Sequence, residues 1–259
     1  MFLYTLDHFS SLETQRAMHP IIQVKNLTAK YDQKIILDDI TINIYPNEIT
    51  VILGKSGCGK TTLLKNIIKL YQPTEGSVAI FGQDVTWMEE NKFNEILRKI
   101  GVLFQNGALL NSLTVAENVA IPLEQHTNLP PILIRRLVRE KLHLIELDHA
   151  LNLFPSQLSG GMRKRAALAR AIALDPMILF GDEPTAGLDP VTAASLDQLL
   201  FKLRDILNMT MVIVTHELES IHRIADRVVF LDEGRILFQG KLSEAKSSQI
   251  PTIQQFFNP

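Results

Sequence analysis

The chain has 259 residues, 46% hydrophobic and 21% charged, enough for one large α/β domain or two small ones around a sizeable core. A net charge of −2 gives no electrostatic case for a nucleic-acid partner, and no run reaches the roughly 18 apolar residues of a membrane helix, so any membrane role goes through a partner. The opening Met1-Phe2-Leu3-Tyr4 lacks the basic region and apolar core of a signal peptide, and the single cysteine, Cys58, excludes an internal disulfide; a cytosolic location is the simplest expectation.

Residues 1–19 carry no clear period and read as an N-terminal extension. Ile21 to Leu27 alternates like a strand, Tyr31-Asp32-Gln33-Lys34 reads as a turn, and residues 35–45 form a second strand with Ile40, Ile42 and Ile44 on one face. Pro46-Asn47-Glu48 turns the chain into the apolar run Ile49 to Leu53. A glycine-rich stretch follows, then a helical pattern from Leu63 to Ile68. Residues 77–80 predict a short strand, 89–99 a helix, and 100–104 a strand leading to Gln105.

About residues 106–173 the strand signals fade. Ile134, Leu142 and Ile145 recur at helical spacing, with Arg135, Arg136 and Arg139 on a solvated face. The region is predicted to be a helical subdomain inserted into an α/β core. The core resumes with a strand over 176–181, a helix over 190–207 opened by Pro190, a strand over 211–214, a helix over 217–225, and strands near 227–231 and 236–238. Alternation of strands and helices implies a largely parallel sheet, flanked by an antiparallel β portion from residues 21–48. The predicted domain spans 20–245, and the tail, 246–259, carries an Ile253/Phe256/Phe257 pattern that predicts a short docked helix.

Strand, glycine-rich loop and helix together make the phosphate-binding loop of a P-loop NTPase core. Gly54, Gly57 and Gly59 allow a tight turn in which the backbone of Gly54, Lys55, Ser56, Gly57, Cys58 and Gly59 points N–H groups at phosphate oxygens. Thr62 follows in the helix, whose positive N-terminal end adds to the site. Lys60 is placed to reach the β- and γ-phosphates and Thr61 to ligate Mg²⁺. Cys58 sits beside a lysine and a helix N-terminus, which predicts a lowered thiol pKa; its main role is that of a small residue fitting the loop.

The apolar run Met177 to Gly181 ends in Asp182-Glu183. Neighbouring strand residues point to opposite sides, so the two carboxylates can take separate jobs: Asp182 on Mg²⁺ and Glu183 on the attacking water. Taken alone, such a pair after a strand could equally be a helix cap. Gln105 can touch the metal or water, and His216, ending a strand, can bond the γ-phosphate and hold Glu183. Either could be merely structural without the rest. Ser159 suits a helix N-cap, and Gly160 and Gly161 leave N–H groups uncovered at the positive end of that helix. This is a second anion-binding helix end, and two glycines after a cap are a poor choice for stability alone.

Taken together, these motifs identify residues 20–240 as resembling the nucleotide-binding subunits of ABC transporters. The resemblance makes Gly54–Thr61 the Walker A motif, Gln105 the Q-loop residue, Leu158-Ser159-Gly160-Gly161-Met162 the signature, Ile178–Asp182 with Glu183 the Walker B region, Ala186–Asp189 the D-loop and His216 the switch histidine. It implies ATP and Mg²⁺ as cofactors, hydrolysis of ATP to ADP and phosphate, and Tyr31 as the ring stacked on adenine. It further implies a homodimer in which each ATP lies between Walker A of one subunit and Ser159, Gly160 and Gly161 of the other. Two departures stand out: Met162 where the signature commonly ends in Gln, and Gly181 where a large apolar residue is usual. Neither removes a phosphate or metal ligand, so activity is expected to survive.

Met162 followed by Arg163-Lys164-Arg165-Ala166-Ala167-Leu168, with Phe104-Gln105-Asn106-Gly107-Ala108-Leu109, resembles the ATPases of MCE-protein lipid transporters, the Mla type above all. That resemblance implies phospholipid traffic between bacterial inner and outer membranes, at the cytoplasmic face of the inner membrane. The implied partners are a membrane permease, an MCE substrate-binding protein and a STAS-domain subunit. The segment Gly107 to Val119 is expected to help form the groove for the permease's coupling helix. The competing readings are a small-solute importer ATPase and a soluble ABC-type ATPase in cofactor assembly.

Overall fold

The computed structural model describes residues 19–258; the expected N-terminal extension lies almost wholly outside them. Among the described residues ten strands form two sheets. In the first, β1 (Ile22–Tyr31), β2 (Lys34–Ile44), β4 (Glu75–Ile80) and β5 (Gln83–Asp84) run antiparallel in the order β2-β1-β4-β5. In the second, β3 (Ile49–Leu53), β6 (Ile100–Leu103), β7 (Ile178–Asp182), β8 (Thr210–Val214), β9 (Arg227–Asp232) and β10 (Arg235–Lys241) take the order β10-β9-β3-β8-β7-β6. All neighbours there are parallel except β10, which pairs antiparallel with β9.

Every residue of β3, β7 and β8 is buried. Such strands are apolar on both faces because both faces are covered. The period of two sorts their side chains. Ile52, Phe180, Val212 and Val214 join a core with the antiparallel sheet, α1 (Lys60–Ile67) and α2 (Glu90–Leu97). Val51, Leu179, Met211 and Ile213 join a second core beneath the remaining helices. The predicted four-residue turn closes to two, Asp32-Gln33, because Tyr31 pairs with Lys34 in the ladder.

Three helices lie between β6 and β7: α3 (Val115–His126), α4 (Pro131–Leu144) and α5 (Gly160–Ala171). Each has a readable start. Thr114 and Glu117 form a capping box for α3, Pro131 opens α4, and Ser159 caps α5. The fully buried Asn118 ties the preceding loop together, accepting from the Leu110 amide at 2.8 Å and donating to the carbonyls of Leu110, Leu113 and Thr114.

After β7 come α6 (Pro190–Leu207) and α7 (Leu218–Ile224). The chain ends in α8 (Leu242–Lys246) and α9 (Pro251–Phe257). The tail docks as its apolar pattern predicts: Ile253 is fully buried, Phe256 meets Phe230 edge-on at 5.3 Å, and Phe257 stacks on His222 at 5.9 Å. Among the described residues no helix is long and apolar enough to cross a membrane.

Candidate functional site

The C-terminal ends of parallel strands β3, β7 and β8 meet at one edge of the sheet, where open α/β sheets place their ligands. From β3 the chain enters the glycine-rich loop. Gly54, Gly57 and Gly59 hold φ of 147°, 79° and 108°, a region that favours glycine. At Gly54 a Cβ would also stand 2.0 Å from the Leu231 carbonyl oxygen, so the loop lies directly against β9. No side chain caps α1, so its first amides face the loop interior. Lys60 Nζ donates to the carbonyls of Gly54 and Lys55, at 2.9 Å each, which leaves its third N–H for an anion in the loop.

Thr61 Oγ1 donates to Asp182 Oδ1 at 3.2 Å. Burial pushes the Asp182 carboxyl above the usual range, with the Glu183 charge adding to it and the Thr61 hydroxyl opposing. Glu183 follows in a left-handed conformation, φ 49°, and donates its amide to the Val214 carbonyl at 2.8 Å. It caps no helix. Its Oε1 lies 2.7 Å from His216 Nδ1, while its Oε2 is buried without a partner among the described residues. A left-handed glutamate costs about 1–3 kcal/mol and persists where surrounding structure fixes it.

Ser56, Gly57, Gly59, Lys60, Thr61, Gln105, Glu183 and His216 line one cavity of about 290 Å³. The loop, both strand-end residues and the glutamine predicted from separate segments are thus brought together. Beside it, a cavity of about 460 Å³ is lined by Lys34, Ile35 and Ile36 with Lys55, Ser56, Gly57 and Cys58, and closed by Asp232-Glu233-Gly234. Tyr31 does not line it: the ring stands at the β1–β2 hairpin tip, 71% exposed. Thr62, half-buried in α1, lines neither cavity. Cys58 departs from expectation. Burial raises its thiol pKa and outweighs the Lys60 charge.

Ser159 and Gly160 are exposed and line neither cavity. Ser159 Oγ accepts from the Met162 amide at 3.3 Å, as a cap should. Gly161 has a packing reason of its own, since a Cβ there would sit 2.5 Å from Thr192 Cγ2 on α6. Gly181 also has one: a Cβ would meet Ile213 Cδ1 at 2.8 Å, the close approach its position in β7 predicts.

Sequence reasoning missed Lys164 and Arg170 of α5. Lys164 Nζ donates to the main-chain carbonyls of Gln105 and Glu183, and Arg170 to those of Gly107 and Ala108. Nothing in a basic, alanine-rich helix separates these two from the exposed Arg163. Sequence reasoning also missed a buried chain in which Asp197 Oδ2 accepts from Ser220 and Arg223, and Ser220 meets Thr185, two residues past Glu183.

Thr61 and Asp182 offer a hydroxyl and a buried carboxylate side by side, beside the unpartnered Glu183 oxygen. That donor set suits a hard divalent cation completed by water and phosphate oxygens. The geometry therefore fits a triphosphate laid along the loop with its terminal phosphate before Glu183.

Comparison with known proteins agrees. The ABC transporter family profile matches residues 37–186. The chain is 40% identical to the intermembrane phospholipid transport system ATP-binding protein MlaF of Haemophilus influenzae, over 91% of this chain and 89% of that protein. It is also 40% identical to the probable ribonucleotide transport ATP-binding protein mkl of Mycobacterium leprae, over 92% of this chain and 68% of that one. Among solved structures, the dimeric ATP-binding cassette MJ0796 bound to ADP and Pi superposes with a TM-score of 0.78 at 35% identity, covering 85% of this chain and 98% of that one. A phosphate-loop site, its carboxylate pair and these relatives lead to one conclusion: the chain belongs to the ABC transporter family and is an ATP-binding, ATP-hydrolysing cassette.

Proposed function

We propose that this cassette drives phospholipid trafficking between the inner and outer membranes of a bacterium, maintaining outer-membrane lipid asymmetry. The observation that carries its chemistry is the cavity where Lys60, Thr61, Gln105, Glu183 and His216 converge. Gly54 to Thr61 hold the phosphates. Glu183 takes the proton of the attacking water, His216 fixes the Glu183 carboxylate, and Gln105 senses the terminal phosphate. Thr61, Asp182 and Gln105 would hold Mg²⁺, which supplies charge neutralisation at the phosphates.

Two copies form the working unit, with Ser159, Gly160 and Gly161 of each facing the nucleotide of the other. The exposure of Ser159 and Gly160 away from the cavity of their own chain supports this. A cleft of about 270 Å³ receives the permease. Its lining includes Leu97, Phe104, Pro122, His126 and Arg170. No residue of the Gly107–Val119 segment lines this cleft: Val115 and Val119 are buried in the core and Leu110 is exposed elsewhere, so the lining comes from residues outside the segment. The partners are a permease, an MCE protein and a STAS-domain subunit, which hold the cassette at the cytoplasmic face of the inner membrane. The similarity to MlaF supports the lipid substrate. The equal identity to mkl keeps a small-solute transporter as the second reading.

Pull-down of the tagged chain from solubilised membranes tests the choice. Recovery of an MCE protein with a permease is the expected result. Recovery of a solute-binding importer, or of a soluble assembly complex, would overturn it.

A further inference from the structure

Lys164 is 8% exposed, and both hydrogen-bond partners of its ammonium are main-chain carbonyls: Gln105 O, and Glu183 O at 3.2 Å. The carboxylates of Glu183 and Asp182 act on it only at longer range, and burial lowers its pKa. Desolvating an ammonium is costly, and an apolar side chain of similar volume could fill the space without that cost. What the lysine adds is a junction. Among the described residues it is the one side chain whose hydrogen bonds join the signature helix to both the Q-loop main chain and the residue after β7.

Glu183 shows what the junction holds. Its left-handed backbone is pinned on one side by its amide on the Val214 carbonyl and on the other by two donors on its own carbonyl, Lys164 Nζ and the Ala186 amide, each at 3.2 Å; Lys164 is the one that also reaches the Q-loop. Turning that residue toward an ordinary conformation would swing the carboxylate away from His216, now 2.7 Å distant. Farther along α5, Arg170 grips the next Q-loop carbonyls, Gly107 at 2.8 Å and Ala108 at 2.7 Å. The Q-loop main chain is therefore tied to α5 at two points, Lys164 and Arg170.

We propose that Lys164 is a positioning residue for hydrolysis, holding the main chains of Gln105 and Glu183 in one hydrogen-bonded junction. A displacement of α5 then reaches the phosphate sensor and the general base together. The proposal rests on the assignment of Glu183 as the base, and its test separates the two. Lys164→Met, Lys164→Gln and Glu183→Gln are made in the full chain, purified with the membrane proteins that accompany it.

In Lys164→Met, kcat is expected to fall about tenfold or more while KM for ATP stays within about threefold. Lys164→Gln, whose amide donates to one carbonyl, is expected to recover part of the loss. Hydrogen exchange in Lys164→Met is expected to quicken at residues 104–108 and 183–188, with β3 and α1 unchanged. Wild-type kcat in Lys164→Met, exchange raised uniformly across the chain, or Lys164→Gln no better than Lys164→Met would overturn the proposal. If Lys164→Met does not fold, the kcat–KM split and local exchange of Lys164→Gln decide it on the same criteria. Normal turnover in Glu183→Gln would remove the base assignment alone, and the local exchange pattern would still decide the junction.

Discussion

At the scale of single residues, the site turns on Glu183. Four contacts fix it: its amide on the Val214 carbonyl, Lys164 and the Ala186 amide on its own carbonyl, and His216 on its Oε1. Its second oxygen is buried and free of protein partners, the state suited to a base that must take a proton from water. Glu183→Gln keeps the shape and removes the basicity. Hydrolysis is expected to fall about 10²–10⁴-fold, with ATP binding retained in equilibrium titration. Two residues earlier, Gly181 presents the opposite case. The only atom within 3 Å of an added Cβ is the Ile213 Cδ1 methyl, at the far end of a flexible side chain, and the backbone is an ordinary strand. Gly181→Ala is therefore expected to leave stability within about 1 kcal/mol by denaturant titration, because the methyl shift and the lost unfolded-state freedom offset each other.

At the scale of elements, α5 carries two glycines with different jobs. A Cβ on Gly160 would make ordinary contact with Leu188 at 3.4 Å, whereas one on Gly161 would press into the stiff, β-branched Thr192 at 2.5 Å. Gly161→Ala is expected to destabilise the fold by about 1–3 kcal/mol. Gly160→Ala is expected to melt like the wild type yet lose hydrolysis, and thermal melts read beside ATPase assays would separate packing from phosphate binding. The sequence showed both glycines at a helix start but not that one of them is a contact surface. The same boundary between local and long-range information runs through the molecule. The starts of α5 and α6 were legible because Ser159 and Pro190 act within a few residues of themselves. The glycine loop and the Asp182-Glu183 pair were legible because their chemistry demands contiguous residues. Lys164 and Arg170 were not, since their partners lie 19 to 63 residues away and are carbonyls, which every residue possesses. The raised Cys58 pKa likewise depends on burial beneath distant segments rather than on neighbours in the chain.

At the scale of the whole molecule, the separation of two anion-binding helix ends sets the argument. The start of α1 faces the cavity with Lys60 and Glu183, while the start of α5 is exposed and outside it. In the proposed dimer one chain supplies two half-sites, and a two-fold pair of chains supplies two complete ones. Lys60→Ala removes the phosphate lysine, and Ser159→Arg places a bulky cation where the partner's nucleotide should sit. Each variant alone is expected to be inactive. In a mixed dimer the defects fall on one site, because the Walker A loop of the Ser159→Arg chain meets the intact signature of the Lys60→Ala chain. Statistical mixing makes half of the dimers mixed, each with one intact site of two, so about a quarter of wild-type sites should return. The Ser159 cap is itself worth about 1 kcal/mol, so the variant's melting point must be read alongside. ATPase activity of the co-refolded or co-expressed pair is the measurement. Recovery toward a quarter requires a site shared between chains; inactivity of the well-folded mixture would place the whole site within one chain.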